Sequence, residues 1–142
     1  MNPLDDAQKQ RLENLVRIGQ LKEETPSPEE FTGLVSSARP RLKDAGKTEL
    51  SLESRFDLVY NAAHSLSLAA LRWHGYRSEN RFIVFQCLPD TLGLDKTSAR
   101  ILDDAHRRRN NAEYSGLVDI DEALVTALVE ITQLLLQKVS AR

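Results

Sequence analysis

Apolar residues recur along most of this chain at intervals of three and four, the spacing that lines one face of an α-helix. Leu12, Leu15, Val16 and Ile18, set among Asp, Gln, Lys and Glu, predict a first amphipathic helix over 4–24. Thr25-Pro26 halts it, because a proline disfavours helical geometry in the residue before it. Ser27-Pro28-Glu29-Glu30 reads as a second start: Ser27 caps, Pro28 suits the first turn, and Glu30 reaches back to complete a capping box. Phe31, Leu34, Val35, Ala38, Leu42 and Ala45 continue that helix, with Pro40 expected to kink or split it.

The third helix is predicted from Ser51 to about His74, with Gly75 as its stop. Its apolar residues, among them Phe56, Val59, Tyr60, Ala63, Leu66 and Leu71, cover more than one stripe, so burial on most sides is expected. A shorter apolar helix follows over about 79–88, interrupted by Pro89. A fifth runs from Leu94-Asp95 to Glu113 or Tyr114, before Gly116. The last opens at Asp119, with Glu122 three residues on as the partner in another capping box. It carries Leu124, Leu128, Ile131, Leu135 and Val139, widened by Leu134 and Leu136, which predicts one side for the core and another for a partner subunit. Phe82-Ile83-Val84-Phe85 has strand propensity but neither alternation nor a hairpin turn, so no strand is expected. The fold class is therefore all-α, an up-and-down bundle of about five or six helices forming one domain.

Charge and composition narrow the function classes. With 19 basic against 21 acidic residues the net charge is -2, which excludes a generally basic nucleic-acid coat but leaves room for a local phosphate-binding patch. Cys87 is the only cysteine, so neither an intrachain disulfide nor a cysteine-based zinc site can form, and a reducing, cytoplasmic setting is expected. No run of ~18 apolar residues spans a bilayer, and no membrane partner is expected. A His-Glu-x-x-His helix, phosphate-cradling glycine loops and a Gly-x-Ser-x-Gly elbow are all absent, so no metal and no cofactor are predicted.

The most unusual stretch runs from Asp103 to Tyr114. At about 100° per residue, Ile101, Ala105 and Ala112 fall on one side of the helix, while His106, Asn110 and Glu113 share the other, flanked by Arg109. Arg107 and Tyr114 lie on an adjoining stripe, and Arg108 extends the basic run. Arginine can hold a phosphate through paired hydrogen bonds, and histidine can move a proton near neutral pH. The plainer alternative is a solvated charged face in which Arg109 and Glu113 form an ordinary ion pair one turn apart. Elsewhere, Tyr60 and His64 sit one turn apart as a core pair or a ligand-facing pair. The Trp73-His74-Gly75-Tyr76-Arg77 run either stacks on bases or closes off a core.

The stretch from Ser51 to Gly116 resembles the HEPN superfamily, helical domains of prokaryotic toxin–antitoxin and defence systems. The likeness rests on the helix Arg55-Phe56-Asp57-Leu58-Val59-Tyr60-Asn61-Ala62-Ala63-His64 and its continuation to the glycine turn, and on Arg109-Asn110, which is similar to the start of the family's arginine–polar–histidine motif. The resemblance implies a HEPN-like portion over about 51–142 with the helices of 4–46 packed on it. It further implies a homodimer that joins two motifs in one cleft, and a cognate antitoxin or nucleotidyltransferase as partner. Active members are similar to metal-independent ribonucleases. In this chain Tyr114 stands where the motif histidine is expected, and a phenol with a pKa near ~10 is a poor base. The expected function is thus binding of RNA, a nucleotide or a protein partner, with standard catalysis lost or altered. Arg109, Tyr114 and His106 are the catalytic candidates, and Arg107, Arg108, Asn110 and Glu113 the RNA- or nucleotide-binding ones. Two alternatives stay open: an active endoribonuclease toxin using Arg109 with His106 or Tyr114, and a non-catalytic antitoxin-like interaction subunit.

Overall fold

In the computed structural model, which describes residues 1–141, the chain is all-α apart from one two-residue strand pair. Helix α1 (Asp6–Arg17) opens with a capping box between Asp5 and Gln8. It ends well short of residue 24, because the backbone turns at Gly19 with φ +81°, a conformation that suits glycine. The residues beyond form strand β1 (Lys22–Glu23), which pairs antiparallel with β2 (Tyr76–Arg77). Neither strand was foreseeable by alternation: a ladder this short has no pattern to read.

Helix α2 (Pro28–Ala45) is capped by Ser27, whose Oγ accepts from the Glu30 amide at 3.2 Å. It continues through Pro40 without splitting, with the proline on its exposed side. Only half of the expected capping box forms, since the Glu30 carboxylate turns away to Arg72 and Arg77. Helix α3 (Leu52–Trp73) has Ser51 as its cap, and short helices α4 (Arg81–Gln86) and α5 (Leu88–Thr91) follow. The helix expected over about 79–88 is α4, and Pro89, expected to interrupt it, lies in the first turn of the further short helix α5.

Helix α6 (Lys96–Ser115) runs from the Asp95 cap to Gly116 in the left-handed conformation. Helix α7 (Glu122–Ser140) is capped by Asp121 rather than Asp119, and Glu122 pairs with the buried Arg55 at 2.9 Å instead of closing a box. Arg55 also donates to the Ala45 carbonyl at 2.9 Å, so one guanidinium joins the ends of α2, α3 and α7.

Helix α3 is the central member, packed along α2 on one side and α7 on another, with α4 bridging it to α6. The main core draws on all of these, including Phe56, Val59, Leu66, Phe85, Leu102 and Leu128. A satellite core beneath α1 holds Leu12, Leu21, Leu71, Tyr76, Val84 and Cys87. Helix α7 is apolar and long enough to cross a membrane by length and composition. It buries Val125, Leu128, Ile131, Thr132, Leu135 and Val139 in the bundle, and of its large apolar side chains only Leu134 stands exposed. Leu124, Val129 and Leu136 are partly buried against that core, and Leu134 lies on the outer side of the helix.

Candidate functional site

Caps set the register of the elements that meet around Tyr60. Asp95 accepts from the Ser98 amide at 3.2 Å to start α6. Asn80 accepts from the Phe82 amide at 3.0 Å to start α4. The α3 register carries Tyr60 into the interior, where it is 1% exposed. Its ring packs on Phe56 and Phe85, with centroids 6.1 and 5.7 Å away. A buried phenol needs a hydrogen-bond partner, and His106 of α6 supplies it, with Tyr60 Oη 2.8 Å from His106 Nδ1. The partner is therefore not His64, one turn along α3, which meets Phe85 edge-on at 6.0 Å.

The other ring nitrogen of His106, Nε2, lies 3.1 Å from Asn110 Nδ2. In a neutral imidazole one nitrogen donates and the other accepts, so the two bonds hold complementary roles. Burial lowers the His106 pKa from its ordinary value; Asp103 opposes the shift, while Arg81 and Arg109 reinforce it. His64 is pushed down to about 4, chiefly by burial and then by Arg81, Arg109 and His106. Both imidazoles are thus held towards the neutral form beside two guanidinium groups.

Those two cations both stand over the phenol ring. Arg109 Cζ stands 4.6 Å and Arg81 Cζ 5.5 Å from the Tyr60 ring centroid. Arg109 reaches carboxylates only at long range, Asp57 at 4.0 Å and Glu113 at 3.8 Å. Arg81 donates to Asn61 Oδ1 at 3.1 Å, and among the described residues it has no ion pair. Cation–π contact leaves the N–H edge of a guanidinium open to a ligand. Among the other arginines, Arg72 and Arg77 are paired with Glu24 and Glu30, and Arg55 with Glu122.

Of the residues marked by the α6 pattern, the fold brings Arg109, His106 and Asn110 together, with Glu113 at the edge. Arg107 lines the neighbouring groove but is paired with Asp104. Arg108 is tied to Asp104 at 3.0 Å and to the Asp119 carbonyl at 2.7 Å, so it anchors the approach to α7. These pairs hold the Asp104 carboxyl below its ordinary pKa, Arg107 contributing most. Tyr114 is 94% exposed and makes no hydrogen bond or ring contact among the described residues. It lies about 140° around α6 from Arg109.

Sequence pattern missed Arg81 and the proximity of His64, since both come from other elements. The Trp73–Arg77 run closes a core: Trp73 packs on Phe31 at 5.1 Å, Tyr76 is buried, and Arg77 pairs with acidic groups. Cys87 is buried with its thiol pushed up to about 12 by desolvation, so it stays protonated. Among the described residues, no three His, Cys, Asp or Glu side chains converge as a metal site requires.

The fold and site together define a helical bundle with a paired-arginine cluster around a buried tyrosine–histidine bond. Comparison with family models, curated proteins and solved structures finds no match.

Proposed function

We propose that this chain is a HEPN-like protein that binds RNA or a nucleotide through a phosphate held by Arg109 and Arg81 beside His106, with the standard cleavage of that family lost or altered. The observation that carries it is the pair of guanidinium groups over Tyr60, partly buried and without a close carboxylate. Arg109 meets Asp57 and Glu113 only at 4.0 and 3.8 Å and Arg81 has no ion pair among the described residues, so the two guanidiniums keep donors that a phosphate can take. Two guanidiniums and an imidazole within one aromatic cluster match the donors a phosphate needs. Because His106 already bonds Tyr60 and Asn110, it must release one of them before it can take a proton from a substrate. A resting binder is accordingly preferred to a fast nuclease.

The test is a binding isotherm with inorganic phosphate and a short single-stranded RNA at several salt concentrations. Arg109→Ala is expected to weaken both by at least about tenfold, because a charge-assisted hydrogen bond contributes roughly 1.5–3 kcal/mol. Its melting temperature should barely move, since its ion pairs are long and partly solvated. A bound anion should also raise the His106 pKa, read from imidazole shifts by NMR. An isotherm identical to wild type in Arg109→Ala removes this function. Fast RNA cleavage in the presence of a chelator, lost in His106→Ala, establishes the nuclease alternative instead. The proposal includes a homodimer, and sedimentation showing only a 16.0 kDa species counts against that part.

A further inference from the structure

Next to the arginine pair lies an open groove of about 610 Å³ between the first turn of α4 and the middle of α6. Phe82, Arg100, Asp103, His106, Asn110 and Asn111 are among its lining residues. We infer that this groove is a base slot selective for guanine, as a free nucleotide or within single-stranded RNA. It rests on the proposed function in one respect: the nucleotide's charge is placed at Arg81 and Arg109.

The slot has an aromatic wall. Phe82 is 39% exposed although every other phenylalanine of the chain is buried. Its ring stands 6.1 Å from that of His106, the two tilted by 37°. An open apolar face on a polar groove is a stacking platform, and every base has a π-face to offer it. His106, which lines the groove, bonds Tyr60, and Arg81 and Arg109 stand over the Tyr60 ring, so the nucleotide's phosphate is placed on that side.

Polar groups at the groove choose among bases. The Asp103 carboxylate makes no hydrogen bond or ion pair among the described residues, and the side-chain amide of Asn111 makes none either. A carboxylate accepts only, through two oxygens side by side. Guanine alone among the RNA bases carries two adjacent N–H donors on its pairing edge, N1–H and the N2 amine. Adenine and cytosine set a ring-nitrogen acceptor next to the amine, and uracil flanks its single N–H with carbonyls, so each meets Asp103 with a repelled lone pair. The side-chain NH2 group of Asn111, which can donate, is suited to the O6 and N7 acceptors, while that of Asn110 is already turned to His106.

Titration calorimetry of the full chain with GMP, AMP and inorganic phosphate, and with the pentaribonucleotides UUGUU and UUAUU, tests the slot. GMP should bind about tenfold more tightly than AMP. Asp103→Asn should erase that ratio, weakening GMP and relieving AMP of the repelled lone pair, and leave phosphate unchanged. Phe82→Ala should weaken both nucleotides about tenfold, again without touching phosphate. Both side chains are exposed, and unchanged melting temperatures confirm that the variants fold. Tighter binding of UUGUU than of GMP identifies RNA as the source, and equal binding identifies the free nucleotide. Equal affinity for GMP and AMP, or phosphate binding that no base improves, overturns the slot while the phosphate proposal survives. No binding of phosphate or nucleotide at all sinks both.

Discussion

Arg72 is only 1% exposed, and a buried arginine can be tested for what it holds. Its Nη1 donates to the carbonyls of Glu24 at 3.0 Å and Tyr76 at 3.3 Å, and its Nη2 to that of Thr25 at 2.6 Å. Nε meets the Glu30 carboxylate, and Glu24 Oε2 lies 3.3 Å from Nη2. One guanidinium thus ties the β1 exit, the first turn of α2 and the β2 strand to the end of α3. Replacing it with alanine deprives three backbone carbonyls of a donor, each worth about 1–3 kcal/mol if it stays dry. The carboxylates suffer less, since Glu24 and Glu30 are 49% and 33% exposed and can turn to water. Water entering the void recovers part of the rest, which leaves about 4 kcal/mol, within the range for breaking a buried pair. For a chain of this size that lowers the melting temperature by roughly 8–16 °C. Urea and thermal unfolding followed by far-ultraviolet circular dichroism measure it. Arg77→Ala serves as the control, because its side chain is 26% exposed and should cost less than ~1 kcal/mol. Arg72→Met keeps the apolar stem but offers no donor, so it should recover little. If Arg72→Ala falls within ~1 kcal/mol of wild type, or Met restores full stability, the carbonyl ties are not what holds this corner.

Three further outcomes are expected. His64 has a folded pKa near 4, below its ordinary 6.5, so its contribution is complete above pH 6.5 and is lost as pH falls towards 4. Stability should drop by about 1 kcal/mol per pH unit across that window, and His64→Gln should flatten the slope in pH-dependent urea unfolding. Glu30 is held below 4.5, mainly by its bond to Arg72. Its stabilisation is present above pH 4.5 and lost as pH falls through the depressed value, so Glu30→Gln should lower stability at neutral pH and shrink the acid limb. Tyr114→Phe and Tyr114→His should leave RNA affinity within about twofold of wild type, because the phenol is 94% exposed and on another face from Arg109; a rise in RNA cleavage on Tyr114→His would bring that residue back into the site.

Where the chain's own neighbours decide the structure, its sequence was readable. Ser27, Ser51 and Asp95 cap helices because a side-chain oxygen bonds an amide three residues on, a local event with a local signature. The same logic failed for Glu30 and Glu122, which fit the capping-box pattern but pair with Arg72 and Arg55 instead. A buried arginine from a distant helix outbids a local amide, and no spacing rule contains that competition. The candidate site divides along the same line. Helical periodicity placed His106, Asn110 and Arg109 near one another because they share α6, and set Tyr114 on an adjoining stripe; only the resemblance drew Tyr114 towards the site, because a motif position carries no angle. What periodicity could not supply was Tyr60, the group that organises the rest. Its buried hydroxyl requires a partner, and only the packing of α3 against α4 and α6 decides that the partner is His106 and that Arg81 and Arg109 both stand over its ring. The two guanidiniums brought to one phenol have only Asp57 and Glu113 to offset them, both at the far edge of ion-pair range and both on Arg109. Their convergence from separate helices is therefore stronger evidence for an anion than the arginine run on α6, which a solvated helix face explains equally well.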